Sequence, residues 1–116
     1  MKKTEQTAMN EKVLAALNAY NQKVPHMEFL DPARLRFSSA YVQYATDPIT
    51  GEILYSVLTS YRTVVAIIDH STDTLYDFLR YVYGYTSTSA QHISKFSIDY
   101  GSGKWGCANR MTYKEV

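Results

Sequence analysis

The chain has 116 residues, 46% of them apolar, and a formal net charge of +1, which bounds it to one domain with a real core and excludes wholesale disorder. So small a charge gives no whole-protein basic field of the kind that drives non-specific DNA binding. A single cysteine, Cys107, leaves no internal disulfide and fits a reducing compartment; no apolar run approaches the ~20 residues of a membrane helix.

The opening Met1-Lys2-Lys3-Thr4 is charged but lacks the apolar stretch of a signal peptide, so the expected location is the cytoplasm. Residues 1–116 read as a single domain, with 1–4 and 114–116 frayed. Tyrosine is over-represented, 11 against four Phe and one Trp. Tyr suits half-buried strands with one solvated face, and it also suits contact surfaces, because its ring packs while its hydroxyl stays wet. Both readings stay open.

Met9, Val13, Leu17, Tyr20 and Val24 fall on one helical stripe, with Thr4 or Thr7 as cap and Pro25 as stop. Residues 25–34, holding Pro25, Asp31 and Pro32, read as a connector. From Leu35 the period becomes two, predicting a strand to Ala45. Asp47-Pro48-Ile49-Thr50-Gly51 has the composition of a hairpin turn. Residues 53–68 exceed one ordinary strand, so a bend or bulge is expected near 60–62; residues 63–68 are continuously apolar, as in a central strand buried on both faces.

His70-Ser71-Thr72-Asp73 reads as the next turn. Residues 75–83 fit helical spacing and strand composition alike; the preceding tight turn and the aromatic density favour a third antiparallel strand. Thr86-Ser87-Thr88-Ser89 offers consecutive N-caps for a helix over 88–100 with Ala90, Ile93, Phe96 and Tyr100 inward and Gly101 as a left-handed cap. Gly101-Ser102-Gly103 reads as a flexible joint, and 107–113 as a short C-terminal edge strand. The expected class is therefore α+β: an N-terminal helix, an antiparallel meander of about three strands, a second helix, and an edge strand that leaves a homodimer open.

No phosphate loop, dinucleotide fingerprint, nucleophile elbow, zincin motif or C-x-x-C occurs, so no catalytic residue and no cofactor is assigned. His26, His70 and His92 are too widely separated to suggest a metal. One cluster suggests an anion or ligand site. Thr88, His92 and Lys95 sit at i, i+4 and i+7 on a face expected opposite Ile93 and Phe96. Beside them stand Ser87, Ser89 and the amides of the first helical turn, with Arg62 or Arg80 able to approach from the sheet. A simpler reading makes this a serine/threonine-rich cap with a solvated Lys95. An enzyme centred on His92 lacks a second group at a defined spacing.

The stretch Ser60-Tyr61-Arg62-Thr63-Val64-Val65-Ala66, then Thr74-Leu75-Tyr76, then residues 85–96 from Tyr85 through His92 and Ile93 to Phe96, resembles a group of small uncharacterised proteins of bacteriophages and prophages. The likeness covers about residues 60–100 and rests on Tyr61, Thr63, Thr88, Ser89, His92 and Phe96. It implies a setting, not a mechanism: an accessory protein in the host cytoplasm that occupies a host or phage macromolecule, for instance as an inhibitor of a host defence system. The expected partner is a protein, met by a tyrosine-rich face comprising Tyr41, Tyr44, Tyr55, Tyr61, Arg80, Tyr83 and Tyr85. The alternative is a nucleic acid or nucleotide, met either at the 87–95 helix start or by Arg34, Arg36, Arg62 and Arg80 among the tyrosines.

Overall fold

The N-terminal stripe forms helix α1, Lys3–Lys23, in a computed structural model that describes residues 2–36, 38–82 and 86–115. Val13 and Tyr20 are buried on the expected face, with Met9, Leu17 and Val24 half-buried beside them. Neither Thr4 nor Thr7 caps the helix, because it begins ahead of both; Glu5 instead accepts from the Lys2 amide at 3.4 Å. Pro25 ends it, leaving one 3-10 turn at Val24–His26.

The connector is not structureless. It supplies β1 (Glu28–Phe29) and β2 (Ala33–Arg34), two short pieces laid antiparallel along β3 (Ala40–Thr46) and split by Asp31 and Pro32. Proline between them keeps this edge short, which discourages strand addition from outside. The strand expected from Leu35 starts only at Ala40, because Arg36 adopts a left-handed φ of 52° that breaks the alternation; Phe37 lies outside the described residues.

The run 53–68 is two strands rather than one bent strand. β4 (Ile53–Ser60) and β5 (Thr63–Asp69) meet at a two-residue turn, Tyr61-Arg62, with Ser60 opposite Thr63. Both turn residues have positive φ, 50° and 68°, the pattern of a type I′ hairpin that usually calls for Asn-Gly. A bulge does occur, at Val65: Leu58 pairs with Ala66 and Thr59 with Val64, so Val65 and Ala66 both turn to one face.

The ambiguous 75–83 segment resolves into both alternatives, strand β6 (Thr74–Asp77) and then a single helical turn, α2 (Leu79–Val82). Asp77 makes the switch, its carboxylate accepting from the Leu79 amide at 2.9 Å. Helix α3 (Ser87–Tyr100) starts from Thr86, whose hydroxyl accepts from the Ser89 amide at 3.2 Å, and β7 (Asn109–Thr112) returns parallel to β6 as the final edge.

The sheet runs β1-β3-β4-β5-β6-β7, with β2 also on β3, and each of its faces carries a helix. Ile93 and Phe96 of α3 close one face over Val42, Leu58, Ala66 and Ile68. Val13 and Tyr20 of α1 close the other over Tyr55, Val57, Ile67 and Phe78. The expectation of one solvated sheet face fails where the helices lie, although Tyr41 stays 41% exposed. The expectation for 63–68 holds for residues 65–68, which are buried, while Thr63 and Val64 are half-buried. No helix among the described residues is long and apolar enough to cross a membrane.

Candidate functional site

The loop after α3, expected to be a flexible joint, is fastened by several hydrogen bonds. Gly103 and Gly106 exchange backbone hydrogen bonds of 3.0 and 3.2 Å, leaving Lys104 and Trp105 at the tip. Asp73, in the β5–β6 turn, ties both flanks. Its carboxylate accepts from the Ser102 amide at 3.1 Å, the Ser102 hydroxyl at 2.5 Å and the Ala108 amide at 2.6 Å. The Ser102 hydroxyl, then the two amides and nearby His70, hold that carboxyl below its usual range. Ser97 Oγ adds a bond from the Cys107 amide at 3.2 Å.

Gly101 is required here for space, not for a left-handed cap. Its φ is −75°, and a Cβ on it would lie 2.6 Å from both the Ser97 carbonyl oxygen and the Gly106 carbonyl carbon. What this construction displays is Trp105, 84% exposed, with the Lys104 ammonium 5.3 Å from its ring centroid.

A second apolar side chain is presented in the same manner. Asp47 Oδ1 accepts from the amides of Ile49 (2.8 Å) and Thr50 (3.3 Å), and Thr50 Oγ1 accepts from Glu52 (3.2 Å). Ile49, at the crest, is 92% exposed. The two turns lie at one end of the sheet, because β4 begins where β5 ends: Tyr55 faces Asp69, and the His70 amide donates to Leu54 O at 3.2 Å.

Asp47, Glu52, Asp69 and Asp73 gather at this end with Lys23 and Lys104. Beside them is a depression of about 200 Å³ lined by Lys23, Glu52, Tyr55, Asp69 and His70. His70 Nε2 lies 2.6 Å from Ser56 Oγ, and burial lowers its pKa although Asp73 and Asp69 oppose the shift. Ser56 is fully buried, so this pair fastens the turn from inside.

The residues singled out from sequence are not gathered into one site. Ser89 and His92 belong to the inner face of α3, where Ser60 Oγ lies 3.2 Å from Ser89 Oγ and 3.0 Å from His92 Nδ1. At 100° per residue His92 neighbours Ile93 and Phe96 rather than opposing them, and the Ser60 hydroxyl gives it a buried partner. Burial, then Lys95, lowers its pKa. Ser87, Thr88 and Arg62 are exposed and Lys95 is half-buried.

The tyrosines are likewise dispersed. Tyr55 is buried edge-on to Tyr20 with ring centroids 5.4 Å apart, its hydroxyl accepting from Lys23 Nζ at 3.1 Å. Burial beside Tyr55 pushes the Tyr20 hydroxyl up to about 12. Tyr44 is half-buried against Tyr100, whereas Tyr41 and Tyr61 are 41% and 50% exposed. Arg80 is exposed; Tyr83 and Tyr85 lie outside the described residues. The Trp105 loop was missed although its signal is plain in retrospect: the sole tryptophan, set between glycines. Compared with protein-family models, curated proteins and solved structures, the chain matches none.

Proposed function

We propose that the chain is a non-enzymatic binding protein that docks on a partner protein through the end bearing Trp105 and Ile49. The observation that supports this reading is an indole 84% exposed on a loop fastened by one carboxylate. A fixed loop loses little conformational entropy on binding, and a large aromatic ring is the commonest energetic anchor of protein interfaces. The carboxylates around it disfavour an anionic lipid surface or a nucleic acid at this end and suit a partner whose apolar slots have a neutral or basic rim.

The Ser60–His92 and Ser56–His70 pairs favour a binding role over catalysis, since both serines are fully buried. The likeness to bacteriophage proteins suggests the form of the role, occupation of a host surface such as a defence complex.

Trp105 is the sole tryptophan, so its fluorescence reports docking directly. A photo-reactive lysine analogue at position 104 captures the partner from a nuclease-treated bacterial lysate, and the purified partner is then titrated. The expected result is a blue shift of Trp105 emission and at least about tenfold weaker binding for Trp105→Ala. Undiminished affinity of that variant, or capture that disappears with nuclease, would refute the reading.

A further inference from the structure

We infer that the opposite end of the sheet is a contact surface for single-stranded nucleic acid. The meander brings the β4–β5 turn, the start of β3 with Arg34 of β2 beside it, and α2 to that end, away from Trp105. Tyr61 and Arg62 form the turn tip in left-handed conformations that glycine or asparagine would adopt without strain. The strain holds a ring and a guanidinium outward, where Tyr61 is 50% exposed.

Tyr61 is also oriented: its ring centroid lies 6.2 Å from that of His92, which Ser60 fixes from below. Beyond the neighbouring strands Tyr81, 52% exposed, leans on Tyr113 at 5.5 Å. Arg34, Arg62 and Arg80 are exposed at the same end of the sheet. Two carboxylates are already engaged, Asp77 by Arg110 at 3.7 Å with Arg80 also acting on it, and Asp99 by Arg36 through two bonds of 2.6 and 2.8 Å. A protein of net charge +1 thus carries a basic, tyrosine-bearing end opposite an acidic one.

Rings for unpaired bases and guanidiniums for phosphates are the combination that single-strand binders use. A duplex would hide the base faces, and an acidic peptide would engage the arginines but not the rings.

Labelled oligothymidylate, followed by fluorescence anisotropy at low salt, tests this. Binding is expected, with log K falling against log salt at a slope of about −1.4, as two phosphate contacts by Arg34 and Arg62 on a single strand dictate. Arg34→Ala with Arg62→Ala should weaken it by at least about tenfold and flatten the slope; Tyr61→Leu should weaken it at unchanged slope. Trp105→Ala should bind oligothymidylate as the parent does, which separates this surface from the docking end. Absence of binding at low salt, indifference to the arginine substitutions in variants with unchanged circular dichroism, or equal binding of a polyglutamate peptide would overturn the inference.

Discussion

Asn10 in α1 hydrogen-bonds both backbone groups of Lys114: its Nδ2 donates to Lys114 O at 2.6 Å, and the Lys114 amide donates to its Oδ1 at 3.0 Å. The side-chain amide thereby stands where the next β-strand would run. Gln6, one turn earlier, donates to Thr112 O at 3.1 Å and to Asn10 Oδ1 at 2.8 Å. These two amides explain the buried polar positions of α1 and cover part of the open edge of β7. Asn10→Leu should cost about 1–3 kcal/mol, because it removes two hydrogen bonds to the Lys114 backbone, each worth about 0.5–1.5 kcal/mol net. Urea unfolding measures this, and light scattering should show increased self-association. An unchanged urea midpoint would mean that the amide is not supporting the edge.

The Asp73 carboxyl makes the Trp105 loop sensitive to acid. The Ser102 hydroxyl, more than any other group, holds its pKa below the ordinary carboxylate range. A depressed carboxylate stabilises the fold above the unfolded pKa, and that contribution is lost as pH falls through the lower folded value. The loop should accordingly stay fastened down to the usual carboxylate range, about pH 4, and loosen below it. Iodide quenching and anisotropy of Trp105 fluorescence read this out. Asp73→Ala should show the loosened state already at neutral pH while the sheet stays folded. A loop equally rigid in that variant would place the restraint elsewhere.

The elements legible in the sequence were those whose pattern depends on one neighbour. The α1 stripe, the 47–51 turn and the β5 run follow from periodicity and turn chemistry, and the structure bears them out. What escaped the sequence depends on partners far along the chain. His92 looked solvent-facing because its buried partner, Ser60, is 32 residues away. Gly101-Ser102-Gly103 looked loose because Asp73, 29 residues before Ser102, is the residue that pins it. The Tyr61-Arg62 turn was read as a bend because its residues are poor formers of the turn they adopt, so local chemistry pointed away from the fold. Tyr55 was placed on the surface because alternation alone does not reveal that a helix covers that face.

A buried histidine, His92, and a half-buried one, His70, give the fold a second pH dependence. Burial lowers the pKa of both His92 and His70, so the folded chain protonates them at lower pH than the unfolded chain does. An unfolded histidine titrates near 6.5. Below that value the unfolded chain binds more protons, and stability falls with pH until the folded values are reached. Urea midpoints should therefore decline from about pH 7 downward, ahead of any carboxylate effect. His92→Gln should remove part of the slope and the double variant with His70→Gln most of it. A double variant with the parent's slope would assign the dependence to other groups.

The Tyr61-Arg62 turn predicts opposed effects on stability and on binding. Each left-handed non-glycine residue carries about 1–2 kcal/mol of steric cost, whereas Asn-Gly suits a type I′ turn. Replacing the pair by Asn-Gly should leave the β4–β5 register unchanged and raise stability by about 1–3 kcal/mol, less whatever the Tyr61–His92 ring contact contributes. The same variant should lose most of its affinity for oligothymidylate, since the exposed ring and one guanidinium leave together. Chemical denaturation and the anisotropy titration are run on one preparation. A gain in stability with affinity retained would show that the tip is strained without serving that contact, and no gain at all would show that surrounding packing already relieves the strain.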